Sequence, residues 1–387
     1  MENILPTLLP FCVSFIAVAL IHPYLVRFAK AKNIVDNPNT RKLQIRPVPV
    51  LGGIAILFGI MLGTVCSCTV ADCSPLFVIF GCMLTMAYVG ALDDVLDISP
   101  KVRLVMQIFT ALILIYIGGL SLNNFHGLWG IYELPEYIST PLTVIAVVGI
   151  INALNLIDGV DGLFSIFCIC VCSIFASIFL KAGDYPLYIL AISAIGAVIP
   201  FLLHNAFGIE SKMFVGDGGS LLMGVVLSVF VMEIISEPSY SVIAQEHNLG
   251  LVAFALAMLS IPVFDTLRVM TARIIKGGSP LVGDKTHLHH LFIGLGVSHI
   301  GTAILVSLLN LLIVYGWWGC VKAGLSIDMQ LYVVIALALL LDCGIYYFVA
   351  LLDRLMPERM SEFRRWKSNH RPNRALFDFM RRFVDAF

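Results

Sequence analysis

Two adjacent carboxylates, Asp93 and Asp94, close an apolar run at Gly90-Ala91-Leu92-Asp93-Asp94. Side by side at a membrane boundary they repel each other and require a cation or basic groups to compensate them. Asn155, Asp158 and Asp161 then recur three apart within Asn155-Leu156-Ile157-Asp158-Gly159-Val160-Asp161-Gly162. A helical continuation would point all three roughly the same way, and the two glycines permit close backbone approach. No Lys or Arg lies in that segment, so its carboxylates have no partner nearby in the chain.

Phe214-Val215-Gly216-Asp217-Gly218-Gly219-Ser220 opens a further apolar run. Gly216, the neighbouring glycines and Ser220 ahead of a helix N-terminus suit a phosphate cradle. A bare Asp217 would repel phosphate, whereas Asp217 carrying a cation would attract it. Asp284-Lys285-Thr286-His287-Leu288-His289-His290 follows in a long polar connection. Its histidines could bind zinc, but no familiar zinc spacing is present beyond Asp284. Lys285, Arg273 and Lys276 make the setting cationic, which favours a diphosphate over a divalent cation. Hard oxygen donors of the Asp and Asn kind suit Mg²⁺, with Mn²⁺ as the alternative, and such ions hold substrate phosphates through one or two protein carboxylates. The residues therefore predict phosphoryl chemistry.

The elements that must position these residues are membrane helices. The chain has 387 residues, 59% of them hydrophobic and only 13% charged, about half the charge of a soluble domain. At roughly 20 apolar residues per span, the excess corresponds to about eleven helices, and the long apolar runs exclude a β-barrel. The fold class expected is all-α, a polytopic integral membrane protein. Spans are predicted near 4–28, 48–69, 75–92, 103–120, 138–154, 162–180, 186–203, 218–236, 249–265, 300–320 and 329–352. Residues 1–353 form one transmembrane unit, and 354–387 a basic amphipathic tail with Leu376, Phe379, Met380, Phe383 and Phe387 on one stripe, suited to anionic lipid. The first run lacks a basic n-region and is expected to remain as an anchor. The ten cysteines show neither metal spacing nor a disulfide framework.

With alternating loops, only Lys181 and Lys322 of the 24 Lys and Arg residues fall on one side. The other side is cytoplasmic by the positive-inside rule, which places the amino terminus outside and every motif inside. Asp342 is the one ionisable group deep within a predicted span. Intramembrane acids also line transport pathways, but the clustered acids lie at one face, and inverted repeats are not evident.

In these motifs the sequence resembles the polyprenyl-phosphate N-acetylhexosamine-1-phosphate transferase family. The likeness runs in order through Pro47-Val48-Pro49-Val50-Leu51-Gly52-Gly53, Asp93-Asp94 with Ser99-Pro100-Lys101-Val102-Arg103, Asn155 to Gly162, Phe214 to Ser220 and His287-Leu288-His289-His290. Gln44 departs from it, since many relatives carry His there. The resemblance implies transfer of an N-acetylhexosamine 1-phosphate from a UDP-sugar to undecaprenyl phosphate in the inner leaflet of a bacterial cytoplasmic membrane, with Mg²⁺ and release of UMP. The His-Leu-His-His form and the span count look like the branch using UDP-N-acetylglucosamine, which starts O-antigen or teichoic-acid linkage units. The peptidoglycan branch, phospho-N-acetylmuramoyl-pentapeptide translocase, resembles the chain less. Carried over by residue, Asp217 and next Asn155 hold Mg²⁺. Asp93, Asp94, Asp158 and Asp161 are catalytic, while His287, His289, His290, Lys101, Arg103, Gly216 and Ser220 bind substrate. A direct attack and a covalent aspartyl-phosphate route both remain open, as does a homodimer. Nucleic acid is not an expected partner.

Overall fold

The computed structural model describes residues 4–38, 46–69, 71–278, 286–369 and 374–385. Gln44, Asp284, Lys285 and Phe387, named above, lie outside them. The elements are almost entirely helical. In order they are α1 (Ile4–Lys32), α2 (Gly52–Ser67), α3 (Leu76–Leu96), α4 (Pro100–Tyr116), α5 (Glu136–Ile157), α6 (Leu163–Ala182), α7 (Tyr185–Phe207) and α8 (Gly216–Ser236). These are followed by α9 (Pro238–His247), α10 (Leu251–Met258), α11 (Ser260–Ile275), α12 (Leu288–Gly294), α13 (His299–Lys322), α14 (Ile327–Leu339), α15 (Ile345–Leu355), α16 (Pro357–Asn369) and α17 (Arg374–Asp385). A short antiparallel pair, Val35–Asp36 with Val48–Pro49, precedes α2.

Eight of the described helices are long and apolar enough to cross a membrane, and the bent pair α10 and α11 makes a ninth. The other two expected spans are α2 and α4, of 16 and 17 residues; at about 1.5 Å per residue they fall short of the roughly 30 Å hydrocarbon layer. Helix α8 is the hub, packed by α2, α3 and α5, while α1 lies on α2 and α7. Its glycines admit the neighbours: a Cβ on Gly53 would meet the Gly219 nitrogen at 2.2 Å, and one on Gly90 the Gly218 nitrogen at 2.3 Å. Thr7, near the start of α1, bonds the Tyr188 hydroxyl at the start of α7, whereas α17 packs at the other end of α7. The start of α1 and helix α17 thus lie at opposite ends of the bundle.

The ninth span breaks where the helix bends by 73°. Pro262 has no N–H to continue the ladder, and Asn310 of α13 satisfies the freed groups, accepting from the Ile261 N–H at 3.0 Å and donating to the Met258 carbonyl at 2.9 Å. Beyond the break α11 continues to Ile275, so Arg273, expected in the polar connection, is helical, as is Arg268. Burial of Arg268 is permitted by its partners: it is ion-paired to Asp265 and, at 3.3 Å, to Asp342, and it stacks on the Tyr346 ring at 3.9 Å. Asp342 sits on a π-helical segment, Leu340–Gly344, in the last span. Its pairing answers for a buried acid without an ion pathway.

Candidate active site

Asp93 and Asp94 occupy the last turns of α3, which Asp97 ends in a left-handed conformation. Ser99 then caps α4, its hydroxyl accepting from the Val102 N–H, with Pro100 at the first helical position. Helix α4 therefore starts at residue 100 instead of 103, and its first turns carry Arg103 back over α3. The Arg103 guanidinium bonds Asp93 at 2.7 Å and Asp217 at 3.0 Å. Lys101, expected beside it, is exposed and joins neither carboxylate.

Asp94 has a different task. Its carboxylate accepts from the backbone N–H of Asp217 at 3.0 Å and of Gly218 at 3.3 Å, holding the amino end of α8, where helix N–H groups are otherwise unpaired. The expected phosphate cradle is thus corrected. The donors of residues 217 and 218 are taken by Asp94, Gly216 lies against that carboxylate, and the following glycines serve helix approach. Ser220 is fully buried and cannot reach a phosphate; its hydroxyl braces Asn155 instead, at 2.8 Å. Asn155 donates to Asp217 as well, at 2.7 Å, so α3, α4, α5 and α8 meet on the Asp217 carboxylate.

The Asn155 to Gly162 segment does not continue as one helix. Helix α5 stops at Ile157, and Gly162 turns the chain with φ of 82° into α6. The three polar residues accordingly separate. Asp161 pairs with Lys212 at 2.6 Å and with His299 Nδ1 at 2.8 Å. Burial alone would push its carboxyl up, but the His299 hydrogen bond and the Lys212 charge outweigh that and hold it below the usual range. The Asp158 carboxylate has no hydrogen bond or ion pair among the described residues. Its surface reaches solvent, yet enclosure by protein first, and then the charges of Asp217, Asp161 and Asp94, push it up to about 8. Lys212, His299, Asp265 and Arg268 were not anticipated as site residues, since they stand alone among ordinary loop or apolar neighbours in the sequence.

The histidine motif folds over this floor. His287 Nδ1 is held by Asp265 at 2.8 Å, and the Leu288 N–H donates to the same carboxylate at 3.0 Å. His289 is almost fully buried and lies on the Asp158 loop: a Cβ on Gly159 would meet its Nε2 at 2.3 Å. Burial first, and then the neighbouring His290, depress His289 to about 3, so it is a neutral imidazole at physiological pH. The His289 and His290 rings lie 4.4 Å apart.

The donor set bears on the expected Mg²⁺. Among the described residues no three His, Cys, Asp or Glu side chains close into a metal cage. Mg²⁺ needs less, one or two carboxylates with substrate phosphates and water. Asp93 and Asp217 already share a cationic group, Arg103, and Asp158, pushed up by burial and then by the charges of Asp217, Asp161 and Asp94, would ionise once a cation entered beside it. An oxygen-rich, under-neutralised set of this kind fits a hard divalent cation.

Residues 76–235 match the family model of glycosyl transferase family 4. Over 94% of its length the chain is 27% identical to the probable undecaprenyl-phosphate N-acetylglucosaminyl 1-phosphate transferase of Bacillus subtilis, covering 96% of that protein. It is 30% identical over 309 residues, 78% of this chain and 81% of the relative, to the undecaprenyl-phosphate alpha-N-acetylglucosaminyl 1-phosphate transferase of Salmonella typhi. The Escherichia coli protein of the same name is 29% identical over 288 residues, 73% of this chain and 75% of that one. Bundle and site together define a membrane-embedded sugar-phosphate transferase. The chain belongs to glycosyl transferase family 4.

Proposed function

We propose that the protein transfers N-acetylglucosamine 1-phosphate from UDP-N-acetylglucosamine to undecaprenyl phosphate, giving the lipid diphosphate-linked sugar and UMP, as the first membrane step of a cell-envelope polysaccharide. The observation that carries this reading is the meeting of Arg103 and Asn155 on Asp217, in a chain whose relatives bear that activity in their names. The reacting centre is at the bundle end that bears α17. The strong excess of Lys and Arg at that end supports a cytoplasmic active site in the inner membrane, with the amino terminus outside.

In the reaction an oxygen of the lipid phosphate bonds to the β-phosphorus of the UDP-sugar. The bond from that phosphorus to the bridging oxygen breaks, and UMP leaves with the electron pair. Asp93 or Asp94 holds the lipid phosphate and takes its proton if one is present. Asp158 and Asp161 lie towards the nucleotide, with Lys212 and His299 setting Asp161. His287 and His290 bind the diphosphate, and neutral His289 supports the loop beneath it. Mg²⁺, held by Asp217 and by Asn155 after rotation of its amide, would supply charge neutralisation on the phosphate oxygens. Residues 354–387 form the tail that follows the transferase unit.

Purified protein in detergent, given undecaprenyl phosphate, a panel of UDP-N-acetylhexosamines and Mg²⁺, should release UMP with UDP-N-acetylglucosamine in strict parallel with lipid-linked sugar. Absence of UMP from every donor would refute the reading.

A further inference from the structure

Helix α17 closes on the site through its last described residue. The Asp385 carboxylate accepts from the N–H groups of Ile209 at 3.0 Å, Glu210 at 3.1 Å and Ser211 at 3.1 Å, and from the Ser211 hydroxyl at 2.9 Å. Three consecutive amides aimed at one anion form a backbone nest. The carbonyl side of the same loop is held by α1: His22 Nε2 lies 2.8 Å from the Ser211 oxygen, and Lys30 donates to the Glu210 oxygen at 2.8 Å.

The next residue is Lys212, which makes the 2.6 Å bond to Asp161. Asn205 ties the two loops a little further on, accepting from the Gly162 N–H at 2.7 Å and donating to the Met213 oxygen at 3.1 Å. The position of Lys212 between Ser211 and Met213 is therefore set by Asn205 on one side and by Asp385 on the other. Two aspects of α17 fit this role. Val384 is buried and Phe377 packs against Phe207 of α7, while Phe379 and Phe383 stay exposed. The expected lipid-facing stripe thus keeps those two phenylalanines, and a separate face docks on protein. Burial acts to raise the Asp385 carboxyl, but the Ser211, Ile209 and Glu210 donors hold it below the usual range, ionised.

We propose that Asp385 is a positioning residue for the transfer reaction, setting Lys212 against Asp161 through the nest at residues 209–211. This rests on the transferase reading above for its consequence, but not for its geometry. A cap with no further role would stabilise the loop and leave the reaction alone.

The test uses the full chain in two arms. In the first, amide exchange without substrate compares the wild type with Asp385→Asn and Asp385→Ala. Exchange at 209–211 should quicken in both variants, more in the alanine form, and unchanged exchange overturns the latch whatever reaction the protein runs. In the second, Asp385→Ala should lower kcat/KM for the UDP-sugar by about tenfold, the size expected of an outer partner to a site ligand. In a Lys212→Ala background the same change should cost less than about twofold, because the two act through one route. Equal losses in both backgrounds overturn the proposal, as does wild-type kcat/KM in Asp385→Ala. Asp385→Glu should restore part of the rate; where the alanine form does not fold, Asp385→Asn takes its place in the cycle, with the same two outcomes.

Discussion

The carboxylate of Asp94 holds the backbone N–H of Asp217 at 3.0 Å, while its neighbour Asp93 shares the Arg103 guanidinium with the Asp217 side chain. Two adjacent acids therefore do separable work, one on the backbone of α8 and one on its charge. Asp94→Ala should lose about 1–2 kcal/mol of stability, the cost of a helix cap, together with activity. Asp93→Asn should fold with near-normal stability and lose turnover. Thermal unfolding in detergent, run beside the transfer assay, separates them; equal destabilisation by the two would contradict the division.

Asp217→Asn should abolish transfer, with a loss of about 10²-fold or more, and shift the remaining activity to higher Mg²⁺. Removing the charge that Arg103 and Asn155 share leaves the packing of α8 in place, so the protein should remain monodisperse. Activity measured against Mg²⁺ concentration decides it. Asn155→Ala should behave as a milder version.

Gly159→Ala tests the contact between the Asp158 loop and the histidine motif. A methyl there would meet the His289 ring at 2.3 Å, and that ring is almost fully buried. Overpacking of this kind costs about 1–3 kcal/mol, and the displaced motif should raise the KM for the UDP-sugar. A variant with unaltered KM would show that the contact does not position the motif.

Acid should act on the fold through His289. The unfolded chain protonates this residue below about 6.5, whereas in the fold it stays neutral down to about 3. Within that window the unfolded state binds more protons, so the stability from this site is whole above 6.5 and declines as the pH falls towards 3. Denaturation midpoints at a series of pH values should show His289→Gln with a shallower decline than the wild type.

Sidedness can be read chemically. In a background without native cysteines, Thr286→Cys should resist an impermeant thiol reagent on intact cells, and Ser239→Cys on α9 should react. The basis is the distribution of Lys and Arg between the two ends of the bundle. Labelling of position 286 from outside would invert the orientation and remove the active site from its cytoplasmic substrate.

By itself the sequence determined the class of fold, because membrane helices satisfy their backbone bonds internally and announce themselves as apolar runs. It also picked out Asp93, Asp94, Asn155, Asp158, Asp161 and Asp217, since carboxylates bordering such runs demand compensation. The compensating groups were beyond it. Asp161 is paired with residues 51 and 138 positions away, and nothing in the local pattern around Lys212 or His299 marks them. The work of the glycines at 216–219 was likewise settled by packing, because whether an amide at a helix start meets a phosphate or Asp94 depends on how closely α3 approaches α8. Arg268 lies just beyond the span predicted at 249–265, and only the tertiary fold brought Asp342 from the last helix to keep its charge inside. Apolar periodicity is carried by neighbouring residues, while ion pairs are chosen among groups that packing brings together.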